Sequence, residues 1–306
     1  METRKIGPLD VSTVGLGCNN FGGRLDYTRT LAVVDAALEA GINFFDTADI
    51  YGGTQSEEFL GRALAGRRDR VILATKFGMK VDEQRQGAKP DYVRQACEDS
   101  LRRLRTETID LYLLHQPDAS TPIADTLAAL DGLVRSGKVR TIGCSNFSAG
   151  QLREAEAAAG TVGSSAKFIS VENEYSLLHR DPEAEVLAEC ERQGLAFLPF
   201  FPLASGMLTG KYRQGQPLPE NTRLSKGSSR FLNDRNQEIV EKLIAFVEPR
   251  GRSLLELAFS WLLSHRAVAS VIAGATKPEQ VRANVAAAGW HLSPADLAEI
   301  DELARA

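Results

Sequence analysis

Residues 109–148 read IDLYLLHQPDASTPIADTLAALDGLVRSGKVRTIGCSNFS and contain one complete repeat of the pattern that decides the fold. The apolar runs at 109–115 and 139–145 predict two buried strands. Between them, Thr121 and Pro122 provide a capping residue and a first-turn proline for an amphipathic helix that Gly137 ends. A strand, a helix and a second strand in this order predict a parallel pair of strands.

The same alternation runs along the whole chain. Eight strands are predicted, at residues 14–17, 43–47, 71–76, 109–115, 139–145, 168–174, 195–200 and 269–273. Further helices are predicted at residues 91–105, 148–159, 181–193, 253–264, 278–288 and 294–304. Eight strand–helix units without a linker predict an α/β fold in which residues 1–306 form one domain, a closed (β/α)8 TIM barrel.

Two segments do not fit this alternation of strands and helices. Residues 5–11, KIGPLDV, predict a small β-hairpin that plugs the bottom of the barrel. Residues 201–235 are too long for an ordinary connection and are rich in Gly, Pro, Ser and Arg. Because this long loop follows the seventh strand, we expect it to be functional.

Composition excludes several classes of protein. Of the 306 residues, 43% are hydrophobic and 25% are charged, as in an average globular domain. A net charge of -4 argues against nucleic acid as a partner. No apolar run approaches the roughly 20 residues of a membrane span, and no signal peptide is visible, so we expect a cytoplasmic protein without a membrane partner. The cysteines are far apart and predict reduced thiols and no metal site; they are Cys18, Cys97, Cys144 and Cys190.

Polar side chains stand where strands end, which is where barrels of this kind place reactive groups. Asp46 ends the second strand with Tyr51 just beyond, Lys76 ends the third and His115 the fourth. Singly, such residues are as often helix caps, turn aromatics or lysines that reach solvent. Together, an acid, a phenol, an amine and an imidazole supply a proton-transfer site.

Each of these four groups has an expected role. Lys76 is expected to stabilise the Tyr51 phenolate, because a free phenol titrates near 10. Asp46 is expected to hold the lysine, and His115 to hydrogen-bond a substrate carbonyl. The set predicts carbonyl reduction or alcohol oxidation with a hydride carrier.

Eight segments make the sequence similar to the aldo-keto reductase family nearly from end to end. They are VGLGCNNFG (14–22), FFDTADIYGGTQSEEFLGRAL (44–64), VILATKFG (71–78), IDLYLLHQPD (109–118), LVRSGKVRTIGCSNFS (133–148), VENEYSLL (171–178), FFPLASGMLTGKY (200–212) and IAGATKPEQVRAN (272–284). The resemblance, which includes the branch of potassium-channel β subunits, implies a (β/α)8 barrel and an extended NADPH or NADH without a Rossmann fold. It also implies a catalytic tetrad, Asp46, Tyr51, Lys76 and His115.

The resemblance further assigns cofactor and substrate contacts. Around the nicotinamide it implies Ser145, Asn146, Glu172 and Phe200. Over the pyrophosphate it implies Pro202, Leu203, Ala204, Ser205, Gly206, Lys211 and Arg223. Further implied cofactor contacts are Gly17, Cys18, Asp46 and Phe201. At the adenosine end it implies Gly274, Ala275, Thr276, Lys277, Gln280 and Asn284. Residues expected near a small carbonyl substrate are Asn19, Asn20, Phe21 and Phe77.

Some positions depart from the family pattern. Glu172 stands where Gln is common, and an ionised Glu accepts hydrogen bonds but donates none. Phe200 replaces Tyr or Trp, and Ala283 replaces a Glu before Asn284. Lys277 favours a 2′-phosphate, so NADPH is the expected cofactor and NADH the alternative.

Two other functions stay open at this point. One is a cofactor-binding regulatory or redox-sensing module like the channel β subunits, against which His115 argues because those relatives depart there. The other is NAD-linked alcohol oxidation. The sequence specifies neither the carbonyl compound, nor the direction of the reaction, nor the oligomeric state.

Overall fold

A computed structural model describes residues 1–161, 166–220, 222, 224 and 230–305. Its eight parallel strands are β3 (Val14–Gly17), β4 (Phe44–Asp46), β5 (Ile72–Phe77), β6 (Ile109–Leu114), β7 (Val139–Ser145), β8 (Phe168–Glu174), β9 (Ala196–Phe200) and β10 (Val271–Gly274). They are hydrogen-bonded in the order β10-β3-β4-β5-β6-β7-β8-β9. The first and last strands of this order meet where the Phe197 N–H donates to the Ala267 carbonyl (2.7 Å) and the Ala269 N–H donates to the Phe197 carbonyl (3.1 Å). The predicted barrel is therefore confirmed.

Helices surround the strands. They are α1 (Tyr27–Glu39), α2 (Gln55–Ala63), α3 (Pro90–Leu104), α4 (Ile123–Arg135), α5 (Ala149–Thr161), α6 (Val186–Gln193), α7 (Asp234–Val247), α8 (Leu254–Ser264), α9 (Pro278–Ala287) and α10 (Pro294–Arg305). No helix within the described ranges combines the length and the apolar composition that crossing a membrane requires.

One predicted helix is wrong at its start. Residues 181–193 were expected to be continuous, but Asp181–Glu183 forms a 3-10 turn and α6 begins only at Val186. Glu183 accepts hydrogen bonds from Arg180 Nε (2.7 Å) and from the Tyr175 hydroxyl (2.8 Å). These tertiary contacts hold the turn against the end of β8 and override the helical periodicity.

The N-terminal hairpin closes one end of the barrel. It consists of β1 (Thr3–Ile6) and β2 (Leu9–Ser12), which pair antiparallel. Its apolar side chains join a cluster inside the strands whose buried members are Ile6, Leu9, Val11, Phe44, Ala74, Leu111, Leu113, Ala196, Leu198, Ala269 and Ile272. This cluster fills the bottom of the barrel, as the plug prediction required, and leaves the carboxyl ends of the strands as the open side.

The long loop after β9 has partial structure of its own. It contains a short 3-10 segment, Ala204–Thr209, before α7 begins at Asp234. Arg213 forms a two-pronged ion pair with Glu241 of α7, Nε to Oε1 at 3.0 Å and Nη2 to Oε2 at 2.9 Å. This pair ties the first half of the loop to the barrel wall.

Helices α2 and α3 approach each other closely at Gly61. A Cβ at this position would lie 2.6 Å from the carbonyl carbon and oxygen of Leu104. We expect Gly61→Ala to lower the free energy of unfolding by about 1 to 3 kcal/mol, because backbone atoms of α3 must move. Urea denaturation measures the change.

Gly132 in α4 is the matched control, since a Cβ there meets nothing within 4 Å. We expect Gly132→Ala to stabilise the protein by about 0.4 to 1 kcal/mol through the lower entropy of its unfolded chain. Equal effects of the two substitutions would contradict the close-approach explanation.

Candidate active site

A buried ammonium lies at the carboxyl end of the barrel. Lys76 has no exposed surface, and its Nζ donates hydrogen bonds to Asp46 Oδ1 at 2.5 Å and to the Thr47 carbonyl at 3.1 Å. A second carboxylate oxygen, Glu172 Oε1, lies 3.3 Å from the same nitrogen. Strands β4, β5 and β8 thus bring one cation and two acids together across the barrel.

Tyr51 and His115 complete the predicted tetrad. The Lys76 ammonium lies 5.4 Å from the centroid of the Tyr51 ring. The rings of Tyr51 and His115 meet edge to face, with centroids 5.8 Å apart and planes inclined by 80°. The structure therefore places all four predicted catalytic side chains in one cluster.

Burial and mutual charges set the ionisation of the lysine and the acids. Burial alone would lower the pKa of Lys76, but the carboxylates of Asp46 and Glu172 raise it above its ordinary value. Burial raises the pKa of Asp46 against the opposing charge of Lys76. Burial and the charge of Asp46 raise the pKa of Glu172, again against Lys76. The lysine is consequently a permanent cation.

The pKa of Tyr51 is not lowered, as the neighbouring Lys76 had led us to expect. Lys76 acts in the expected downward direction, but burial of the phenol dominates and raises the pKa of Tyr51 above its ordinary value. Burial and the charge of Lys76 lower the pKa of His115 to about 3. At neutral pH the cluster therefore presents a protonated phenol and an uncharged imidazole.

Two polar atoms of this cluster are buried and have no hydrogen-bond partner among the described residues, His115 Nδ1 and Glu172 Oε2. Beside them, the Ser145 hydroxyl donates to the Glu172 carbonyl at 2.7 Å. The Asn146 side-chain amide donates to the His115 carbonyl at 2.9 Å. The predicted nicotinamide contacts on β7 and β8 are thus adjacent to the tetrad, and Phe200 is partly exposed at the end of β9.

Backbone strain is concentrated at predicted cofactor contacts. Within the described ranges six non-glycine residues have a positive φ, and four of them belong to the predicted set: Asn146, Phe201, Ala204 and Ser205. Left-handed conformations of such residues cluster at functional sites because the surroundings must impose them. Gly206 follows with φ of 96°, where a Cβ would lie 3.2 Å from Lys211 Nζ.

The other predicted cofactor contacts differ in how far they are exposed. Pro202 and Ala204 are buried, Leu203 is half-buried and Lys211 is exposed. Arg223 lies outside the described residues. The backbone of Gly17 pairs with Gly274 and Asp46, while Cys18 is fully buried with its thiol directed to the Leu16 carbonyl.

The predicted adenosine end surrounds the start of α9. Gln280 Oε1 accepts hydrogen bonds from the Thr276 N–H (2.7 Å) and hydroxyl (3.0 Å). Lys277 is exposed and makes no ion pair within the described part of the chain. Gly274 is exposed, whereas Ala275 and Asn284 are buried.

The predicted substrate residues are largely enclosed. Phe21 and Phe77 have no exposed surface, and Phe77 stacks on Tyr112 with ring centroids 4.7 Å apart. The Asn20 side chain donates to the Ala275 carbonyl at 3.3 Å. Only Asn19 is exposed. Both phenylalanines belong to the hydrophobic core in this structure, and their contact with a substrate stays a prediction.

Asp49 lies in the site region and has no counterpart among the predicted residues. It is buried two residues before Tyr51, and its N–H donates to the Lys76 carbonyl at 3.1 Å. Burial and the neighbouring charge of Glu57 raise the pKa of Asp49 to about 7. The only indication of Asp49 in the sequence was that a second acid follows Asp46 by three residues.

No three His, Cys, Asp or Glu side chains in the described ranges are grouped to hold a metal ion.

Comparison with known proteins shows the family of this chain and agrees with its fold. The model of the aldo/keto reductase family matches residues 13–305. This chain belongs to the aldo-keto reductase family. A relative from Glycine max, "probable aldo-keto reductase 1", is 34% identical over 305 residues, which cover 96% of this chain and 86% of the relative. The holo form of aldo-keto reductase AKR11C1 from Bacillus halodurans superimposes with a TM-score of 0.83 at 34% identity, covering 99% of this chain and 96% of that one.

Family membership supports an oxidoreductase that uses a nicotinamide cofactor and acts on carbonyl compounds. The closer relation to potassium-channel β subunits stays a prediction.

Removal of the Lys76 ammonium should leave two buried carboxyl groups without a compensating positive charge. We expect Lys76→Met to lower the free energy of unfolding by about 3 to 5 kcal/mol. Lys76 lowers the pKa of both acids, so without it these pKa values rise further in the folded state, and the loss should grow as pH rises above about 4, where unfolded carboxyls ionise. Urea denaturation at mildly acidic and mildly alkaline pH measures this.

Lys80→Met is the control, because Lys80 is exposed and its ion pair among the described residues is with exposed Glu83. We expect it to change the free energy of unfolding by less than about 1 kcal/mol at either pH. A pH-independent loss in Lys76→Met would refute the charge-compensation argument.

Proposed function

We propose that this protein reduces a small aldehyde or ketone with NADPH, with Tyr51 as general acid. One observation carries the proposal: the fully buried Lys76 ammonium is held 2.5 Å from Asp46 and lies under the Tyr51 ring beside His115. Burying such charges carries a large desolvation penalty, so a structural role alone explains them poorly. Their place at the carboxyl ends of barrel strands supports a catalytic use.

The residues present fit a nicotinamide. Buried polar atoms are normally hydrogen-bonded, and the unpartnered Glu172 Oε2 suits the carboxamide of the ring. Ser145 and Asn146 would hold the same carboxamide, and Phe200 would lie against the ring face. When bound, the cofactor supplies the hydride.

The chain's own residues then handle the oxygen of the substrate. His115 is uncharged at neutral pH, so it donates a hydrogen bond to the carbonyl oxygen and orients it toward Tyr51. The protonated Tyr51 hydroxyl transfers its proton to that oxygen as negative charge develops there. Lys76 stabilises the resulting phenolate, and Asp46 keeps the ammonium in place.

The preference for NADPH is proposed from the charges near α9 and in the loop after β9. Lys277 is exposed at the N-terminus of α9, where an anion is favoured by the free N–H groups. Lys277 and Thr276 would contact the 2′-phosphate that NADH lacks. Lys211, beside the strained turn at Gly206, would contact the pyrophosphate common to both cofactors.

The cellular setting is likewise a proposal. All four cysteines are buried free thiols, as in proteins of a reducing compartment, which supports a cytoplasmic location. A small-molecule carbonyl compound is the proposed partner, and the acidic net charge does not favour nucleic acid.

Tyr51→Phe tests the general acid. We expect turnover of a panel of aldehydes to fall by about 10²- to 10⁴-fold, while NADPH binding is kept, because only the hydroxyl is lost. NADPH oxidation followed by absorbance measures the rate. Tyr27→Phe, on a ring that packs against Phe59, should leave the rate unchanged.

Full activity of Tyr51→Phe would rule out the proposed acid. Tight NADPH binding by the unaltered protein with no turnover of any carbonyl would instead favour the regulatory module.

Lys277→Ala tests the cofactor preference. We expect the Kd for NADPH to rise about 10- to 100-fold and the Kd for NADH to change little, because only NADPH carries the 2′-phosphate. Fluorescence titration measures both constants. Lys211→Ala should weaken both cofactors to the same extent, and an equal loss for both cofactors in Lys277→Ala would contradict the assignment.

A further inference from the structure

The cluster around Lys76 holds more acid than base. One ammonium faces two carboxyl groups, and the side chains of Lys76, Asp46 and Glu172 are 0%, 4% and 3% exposed. Asp46 forms the short contact at 2.5 Å, whereas Glu172 lies farther away at 3.3 Å. A second ionised carboxylate would be a buried charge without compensation, which is strongly unfavourable. The arrangement therefore favours a proton on Glu172 and a charge on Asp46.

A protonated Glu172 changes the hydrogen bonds that this position offers. An ionised carboxylate only accepts, whereas a neutral carboxyl has one donor and one acceptor, as the amide of Gln has. Its Oε2 is buried and unpartnered, on the side chain that we assign to the nicotinamide carboxamide. With its proton Glu172 reproduces the Gln that the family commonly has here, and without it Glu172 adds a negative charge beside the ring.

We propose that Glu172 couples proton binding to the oxidation state of the cofactor: it is neutral with the reduced nicotinamide and ionises when the positively charged oxidised ring is bound. This inference rests on the proposed function. The oxidised ring is a cation, so it supplies the second positive charge that the two carboxylates lack, while the reduced ring is neutral and does not. On ionisation the Glu172 proton leaves for the solvent.

Linkage makes this coupling reciprocal. If the oxidised cofactor favours ionised Glu172, then loss of the proton must favour the oxidised cofactor by the same factor. Raising the pH should therefore tighten NADP+ relative to NADPH. The ratio of the two affinities should be constant only at a pH low enough to keep Glu172 protonated in the NADP+ complex as well.

The other groups that face Glu172 are not expected to produce the same dependence of the affinity ratio on pH. Its neighbours in register on β7 and β9 are Ser145 and Leu198, which carry no charge. Tyr51 and Lys76 have raised pKa values and keep their protons through mildly alkaline pH. Asp46 also hydrogen-bonds Glu172 and its pKa is raised by burial, but its contact with Lys76 at 2.5 Å is shorter than that of Glu172 and favours the charge on Asp46. The 2′-phosphate of the cofactor is common to both oxidation states and cancels in a ratio of their affinities.

The experiment measures the Kd values of NADP+ and NADPH for the unaltered protein, Glu172→Gln and Glu174→Gln between about pH 6 and pH 10, a range that includes known buried glutamates. We expect the ratio of Kd(NADP+) to Kd(NADPH) to fall by about tenfold or more with rising pH in the unaltered protein. It should be independent of pH in Glu172→Gln. Glu174→Gln, on the same strand but paired with exposed Arg230, should behave as the unaltered protein.

A second readout is proton release on mixing NADP+ with the unaltered protein in weak buffer containing a pH indicator dye. We expect release between the pKa that Glu172 has in the NADP+ complex and its higher pKa in the free protein, and no release from Glu172→Gln. A ratio that is independent of pH in the unaltered protein, or one that still depends on pH in Glu172→Gln, overturns the inference. The second of these results would assign the proton to another acid such as Asp49. Failure of the unaltered protein to bind either cofactor overturns the proposed function itself.

Discussion

A buried ammonium must have compensating charge, and this requirement organises the open end of the barrel. Lys76 lies on β5, and its partners come from β4 and β8, on either side of the interior. The hairpin plug fills the opposite end with apolar side chains. Polar groups are therefore confined to the carboxyl ends of the strands, where their mutual interactions are strong because little water screens them.

Much of the fold was predictable, because a strand buried on both faces is a continuous apolar run. The bounds of β3, β7 and β8 agree with the predicted ranges to the residue. The start of α6 was not predictable in this way. The 3-10 turn before it depends on Glu183 bonding to Arg180 and Tyr175, and such tertiary contacts leave no periodic signal in the chain.

The site was predictable only where strand order determines position. The four predicted catalytic residues lie at the ends of three consecutive strands, so the barrel fold alone is enough to predict that they are close together. The approach of Glu172 to Lys76 joins strands on opposite sides of the interior, and its charge balance follows from burial that a sequence does not display. The burial of Phe21 and Phe77 was not predictable for a related reason: proximity along the chain to site residues does not decide which way a side chain faces.

The ionisation states of Tyr51 and His115 bear on the direction of the chemistry. Burial keeps the Tyr51 phenol protonated, while Lys76 opposes burial by favouring the phenolate. Tyr51 therefore holds its proton before reaction and loses it more easily than burial alone would allow. Burial favours the uncharged form of both groups, but the charge of Lys76 adds to this effect at His115 and opposes it at Tyr51. This resting state is the one that the proposed general acid requires, because Tyr51 must carry a proton before it can deliver one to a carbonyl oxygen.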